Sequence, residues 1–181
     1  MTSERSEQID FNLRFRNKLE DLKQILPPLG KNRGHSCAAT TLTNILDILD
    51  SPSLKNHYFN NLAIPFSGFA SFKSKSGWRG PCGAISGALA AIGIIMGDSE
   101  KTRDMDVPIV YGKTIRFVIK FEEKFGSLSC QDLCGYDLQY FLKDYVKARA
   151  WEKKCCKFVL FAIEQVYKLT KKELKDQWLK V

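Results

Sequence analysis

The chain has 181 residues, 44% of them hydrophobic and 27% charged, which suits one compact soluble domain with a sizeable core. Its six cysteines are too few for a small disulfide scaffold and more than an ordinary cytosolic protein needs. The net charge of +8 gathers in lysines between Lys147 and Lys180; no aromatic–basic platform accompanies them, which argues against nucleic acid and for a solvated helix face able to steer an acidic partner protein.

Met1 to Asp10 is polar and carries no apolar signal core, so the expected location is cytoplasmic. A first amphipathic helix is expected from about Glu7 to Leu26, with Leu13, Leu19, Leu22, Ile25 and Leu26 on its apolar side. Pro27-Pro28 ends it, and a Gly-Lys-Asn-Arg-Gly loop follows. Ser36 is then a fitting N-cap for a second helix reaching about Leu49, whose core face is Leu42, Ile45, Leu46 and Leu49. Ser51 to Gly80 holds Pro52, Pro65, Gly68 and Gly77 among Tyr58, Phe59, Phe66, Phe69 and Phe72. It predicts an irregular segment, either a lid over a site or a plain packed connection. A third helix runs from Pro81, as first helical residue, to near Gly97. It carries no charge, is rich in Gly, Ala and Ile, and has small residues four apart at Gly83/Gly87 and Gly93/Gly97. At the short limit for a bilayer span, it reads as a buried central helix, open to contact in a homodimer, rather than as a membrane segment. A fourth helix runs from about Val107 to Lys124, with Ile115, Val118, Phe121 and Phe125 along one side. A short fifth follows Ser129, and a sixth runs from about Trp151 to near the end. The fold class expected is all-α, about six helices packed around the Gly/Ala-rich one.

The cysteines sit where these helices begin. Cys37 follows Ser36, Cys82 follows Pro81, Cys130 lies in the capping-box phrase Ser129-Cys130-Gln131-Asp132, and Cys155 falls in or near the first turn of the last helix. A helix start offers unpaired N–H groups and a partial positive charge, and both favour a thiolate over a thiol. At about 100° per residue, Cys155 lies opposite Lys157 and beside Val159, Ala162 and Val166, while Cys156 falls on the flank. Cys134, four residues after Cys130, shares its helix face. Four inward thiolates from separate helices suit a pocket closed by the whole fold, rather than the short local pairs usual for zinc. They point to an iron–sulfur cluster, [2Fe–2S] or [4Fe–4S], with Gly83, Ala84, Gly87 and Ala88 allowing close backbone approach. A structural zinc site and metal-free thiol–disulfide exchange through Cys155-Cys156 or Cys130/Cys134 stay open beside it. Of the two histidines, His35 and His57, His35 lies two residues before Cys37; it reads as an exposed loop histidine ahead of the alternative, a hydrogen bond or ligation to the site. No C-x-x-C-H haem motif, phosphate loop or Ser-His-Asp arrangement can be read.

Cys82-Gly83-Ala84-Ile85-Ser86-Gly87 resembles the CGAxxG motif of the C_GCAxxG_C_C family of redox-active proteins. Ser36-Cys37-Ala38-Ala39, the phrase from Phe125 to Leu133 around Cys130, and Cys155-Cys156-Lys157-Phe158-Val159 are similar to that family's other cysteine segments, in the same order, over about residues 35–170. The resemblance implies a helical redox protein, often of anaerobes, suited to an iron–sulfur cluster, and its four cysteines map to Cys37, Cys82, Cys130 and Cys155. Cys134 and Cys156 lie outside the pattern. The expectation is a single helical redox domain over 1–181, with an N-terminal helix and loop (1–34) ahead of a four-cysteine core (35–181). It would act as an electron carrier or redox sensor for an acidic redox partner.

Overall fold

The computed structural model describes residues 10–26, 36–50, 57–97 and 107–176. Among them the fold is all-α, as the periodicity predicts. The helices are α1 (Phe11–Ile25), α2 (Cys37–Leu49), α3 (His57–Ala70), α4 (Gly83–Gly97), α5 (Val107–Phe125), α6 (Cys130–Cys134), α7 (Leu142–Lys147) and α8 (Cys156–Asp176). A π-helical turn, Trp151–Cys155, runs directly into α8.

A helix without a polar side must be covered all round. In α4 most of the circumference is covered: Ala84, Ile85, Ala88, Ala91, Ile92 and Ile95 are buried, and the helix packs against α2 and α8, then α3 and α5, while Ser86, Leu89, Ala90, Gly93 and Ile94 form a half-buried side. Glycine permits the closest of these approaches. A Cβ on Gly87 would lie 2.4 Å from the Ala38 carbonyl oxygen and 3.0 Å from Thr41 Cβ. The core face of α2 is the expected one, with Leu42, Ile45, Leu46 and Leu49 buried. Phe117 and Phe121 of α5 meet Phe158 and Val159 of α8 in the same core. A half-buried ion pair from Lys113 to Glu173, at 3.2 Å, links α5 to α8.

Several expectations need correction. The helix α1 starts at Asp10, whose carboxylate accepts from Leu13 N–H at 3.1 Å. Its buried stripe is Phe11, Phe15 and Leu22, not Leu13 and Ile25, which face solvent. Aromatic rings four residues apart bury more area than a single Leu on the opposite side, and Phe15 packs on Tyr167 of α8 at 4.8 Å. On α5, Ile115 is likewise exposed and Phe117 takes the core position. Residues 57–70 form a helix in spite of Pro65, because packing of an apolar face outweighs one lost backbone bond. The chain then folds back through an isolated bridge between Lys73 and Arg79, with Phe69 and Phe72 against Trp78 at 5.3 and 6.2 Å. Pro81 is not helical; Cys82 occupies the N-cap position, its carbonyl accepting from Ser86 N–H at 3.3 Å. The short helix α7 is additional to the six expected. The proline pair 27–28, the loop at 30–34, His35 and residues 51–56 lie outside the described residues. Among the described residues no helix is long and apolar enough to cross a membrane.

Two glycines of α4 should respond to alanine in opposite directions. Gly87→Ala forces a methyl against backbone, an overpacking expected to destabilise by about 1–3 kcal/mol. Gly93 has nothing within 4 Å of an added Cβ, so Gly93→Ala should stabilise by about 0.5–1 kcal/mol through helix propensity. Chemical denaturation of both variants reads the two signs.

Candidate functional site

Two segments distant in sequence pair just ahead of α4 and α6. Pro81 and Ser129 form an antiparallel bridge; Cys82 N–H donates to the Leu128 carbonyl at 2.7 Å, and Cys130 N–H donates to the Gly80 carbonyl at 3.1 Å. These two bonds set Cys82 and Cys130 side by side. Gly80 is required there, since a Cβ would lie 2.1 Å from the Phe69 carbonyl oxygen. A salt bridge from Arg79 to Asp132 ties the same two segments through side chains.

The start of α2 comes to the same place. Ser36 Oγ accepts from Ala39 N–H at 3.2 Å, the expected N-cap. Ser67 Oγ of α3 accepts from the next orphan donor, Ala38 N–H, at 3.1 Å. Gly83 lets α4 approach this corner, because a Cβ there would be 2.7 Å from Ser67 Oγ and 3.1 Å from Cys37 Cβ. Cys155 arrives differently. It closes the π-helical turn rather than opening a free helix, a second correction to the expected pattern. Such turns are rare and concentrate at functional sites. Arg149, just ahead of it, holds a left-handed φ of 52°, another sparsely populated conformation beside the site.

The result is a cavity of about 350 Å³ whose lining includes Cys37, Cys130, Cys134 and Cys155, together with Ser67, Gly83, Leu142 and Tyr145. Cys82 is buried behind this lining and stands within electrostatic reach of Cys37, Cys130 and Cys155. All six cysteines are free thiols. Among the described residues no group of three or more His, Cys, Asp or Glu is disposed to hold a metal ion.

The thiols divide by their partners. Cys37 donates to Cys155, which pushes Cys37 well up from the ordinary cysteine value, with burial adding to the rise. Cys155 is held down by accepting that bond and a second one from Tyr145 Oη at 3.5 Å, against the opposing effect of burial. Cys130 and Cys134 form a second pair, in which Cys130 donates and is pushed up. Cys134 is lowered to about 7 by accepting from Cys130, with Tyr136 N–H at 3.4 Å and the Lys154 ammonium also favouring its thiolate. Cys82 is raised to about 12 by burial, although Ala84 and Ile85 N–H groups donate to it as they would to any N-cap side chain. Cys156 is raised to about 11 by burial and lies outside the cavity lining.

Of the four expected residues, Cys37, Cys130 and Cys155 line the one cavity, and Cys82 is buried within electrostatic reach of them. The structure adds Cys134, Tyr145 and Ser67 to their surroundings. The spacing of Cys134 from Cys130 carried a signal for the first of these. Tyr145 and Ser67 come from α7 and α3, helices that the sequence pattern did not reveal. His57 opens α3.

In metal-free protein, ultraviolet titration of thiolates should resolve one group near pH 7 that is absent from Cys134→Ala. A depressed value means that this thiolate contributes stability above the unfolded value of 9.0, and the contribution is lost as pH falls through about 7. Tyr145→Phe removes a donor from Cys155 and should move that thiol upward.

No curated protein and no solved structure gives a significant match to the chain. One family does, over residues 35–169, and its description reads "Putative redox-active protein (C_GCAxxG_C_C)". The match spans all six cysteines and every element of the cavity, so the chain belongs to the C_GCAxxG_C_C family of redox-active proteins.

Proposed function

We propose that the thiol cavity binds an iron–sulfur cluster through Cys37, Cys82, Cys130 and Cys155, and that the protein is an electron carrier or redox sensor. The observation that carries this reading is that Cys37, Cys130 and Cys155, from three separate elements, line one cavity, with Cys82 buried within electrostatic reach of them. The donor set is chemically apt: every candidate ligand is a soft thiolate sulfur, and no hard carboxylate lines the cavity. Thiols distributed around a volume of about 350 Å³ suit a polynuclear group better than one tetrahedral ion. A bound cluster of this kind supplies electron transfer at a potential set by its surroundings.

The chain's own groups would tune that potential. Ala84 and Ile85 N–H groups are aimed at the Cys82 sulfur, and Tyr145 Oη is aimed at Cys155. Donors to ligand sulfurs stabilise the more negative, reduced state. Burial of Cys82 and Cys155 excludes water from that side of the site. Exposed lysines of α8, among them Lys157, Lys168 and Lys171, offer a face for an acidic redox partner.

A second reading draws on one specific contact. Cys37 and Cys155 are hydrogen-bonded to each other, so their oxidation to a disulfide would pin α2 to the π-helical turn with no metal involved.

Iron, acid-labile sulfide and zinc should be measured, with a visible spectrum, on protein purified without oxygen. The expected result is a coloured protein holding iron and sulfide, both lost in Cys82→Ser and both kept in Cys156→Ser. Protein that takes up neither after anaerobic reconstitution overturns the cluster reading. A Cys37–Cys155 disulfide found by peptide mapping of that protein would then favour the second.

A further inference from the structure

Cys134 is the one cavity-lining thiol that the proposed ligand set does not use. It is the last residue of α6, and Cys130 is the first. Residues four apart on an α-helix have Cα atoms about 6.2 Å apart. That lies inside the span of about 4.4–6.8 Å that a disulfide bridges, but Cβ atoms four apart on a helix stand about 5–6 Å apart against the ~3.5–4.5 Å a disulfide needs, so the bond forms with unwinding of the α6 turn. The two side chains already touch through a hydrogen bond. The helix between them is only five residues long and is closed by Ser129 at one end and Gly135, with a φ of 82°, at the other. Lys154 Nζ holds the Cys134 carbonyl at 3.0 Å, which keeps this end of α6 fixed to the π-helical turn.

We infer that Cys134 is a peroxide-reactive modification site that captures Cys130 as a disulfide. The consequence for the cluster rests on the reading above, whereas the disulfide itself does not. Cys134 shares the five-residue α6 and the cavity wall with Cys130, so an oxidised Cys134 has a resolving thiol at hand whether or not a cluster is bound. The Cys134 sulfur attacks one peroxide oxygen, the O–O bond breaks, and a water leaves, giving a sulfenic acid on Cys134. The Cys130 sulfur then attacks the sulfenic sulfur, the S–S bond forms, and a second water leaves. Two thiols lose two electrons and two protons, and one hydrogen peroxide becomes two waters. Cys130 is thereby withdrawn from the ligand set. Access selects the oxidant: Cys134 is 1% exposed, so a peroxide that fits the cavity reaches it and a tripeptide disulfide does not.

The test uses the full chain purified without oxygen, its iron content measured first. Samples are treated with stoichiometric hydrogen peroxide or with oxidised glutathione, alkylated, digested and mapped by mass spectrometry. The expected first product with peroxide is a Cys130–Cys134 linkage, absent with oxidised glutathione, and accompanied by release of iron. In Cys134→Ser and Cys134→Ala the linkage is lost and iron is retained under the same treatment, while Cys156→Ser behaves as the parent. A first linkage between Cys37 and Cys155, or oxidation of Cys134 with no linkage to Cys130, overturns the inference. Iron release undiminished in both Cys134 variants overturns its role in cluster loss. If the protein holds no iron, the cluster reading fails separately, and the mapped linkage alone still decides the modification.

Discussion

The site depends on a pairing of two residues. Where Pro81 meets Ser129, two backbone hydrogen bonds hold the entrances to α4 and α6 together. Each bond also satisfies an amide of a cysteine, Cys82 or Cys130, that would otherwise be an orphan near a helix start. The bridge therefore solves a local hydrogen-bonding problem and a long-range positioning problem with the same atoms. Gly80 makes it sterically feasible, and the Arg79–Asp132 pair supports it from the surface. The other walls of the cavity are placed with reference to this corner, through Gly83 against Ser67 and Cys37.

Electrostatically, the thiols cannot all be charged at once. Five sulfurs within mutual reach and largely out of water repel as thiolates. The fold answers by pairing them, a donor with an acceptor, at Cys37 with Cys155 and at Cys130 with Cys134. Cys82 stands apart, with the start of α4 donating to it. A soft cation or cluster would relieve the same repulsion by binding all the thiolates together.

What could be read in the sequence was what is local. Ser36 and Ser129 announce helix starts because their hydroxyls reach amides three residues on, and both do so here. The Gly/Ala-rich α4 is legible because a helix with no polar side has only one stable place. The inward setting of Cys155 follows from counting 100° steps along α8, even though the π-helical turn beneath it does not. Helix α3 was hidden by Pro65 and Gly68, whose local preferences oppose a helix that tertiary packing nevertheless forms. The bridge at Pro81 leaves no trace in sequence, since a single residue pair has no periodicity. Tyr145 was missed because the six residues of α7 are too few for an amphipathic pattern.

The spread of the cavity's residues along the chain, from Ser36 to Cys155, bears on how the protein is made. Contacts between residues so distant carry a large loop-closure entropy and form late. During synthesis Cys37 leaves the ribosome well before Cys155, its hydrogen-bond partner, exists, whereas Cys130 and Cys134 meet within one short helix. The cavity lining is therefore complete only once the polypeptide through Cys155 has been made.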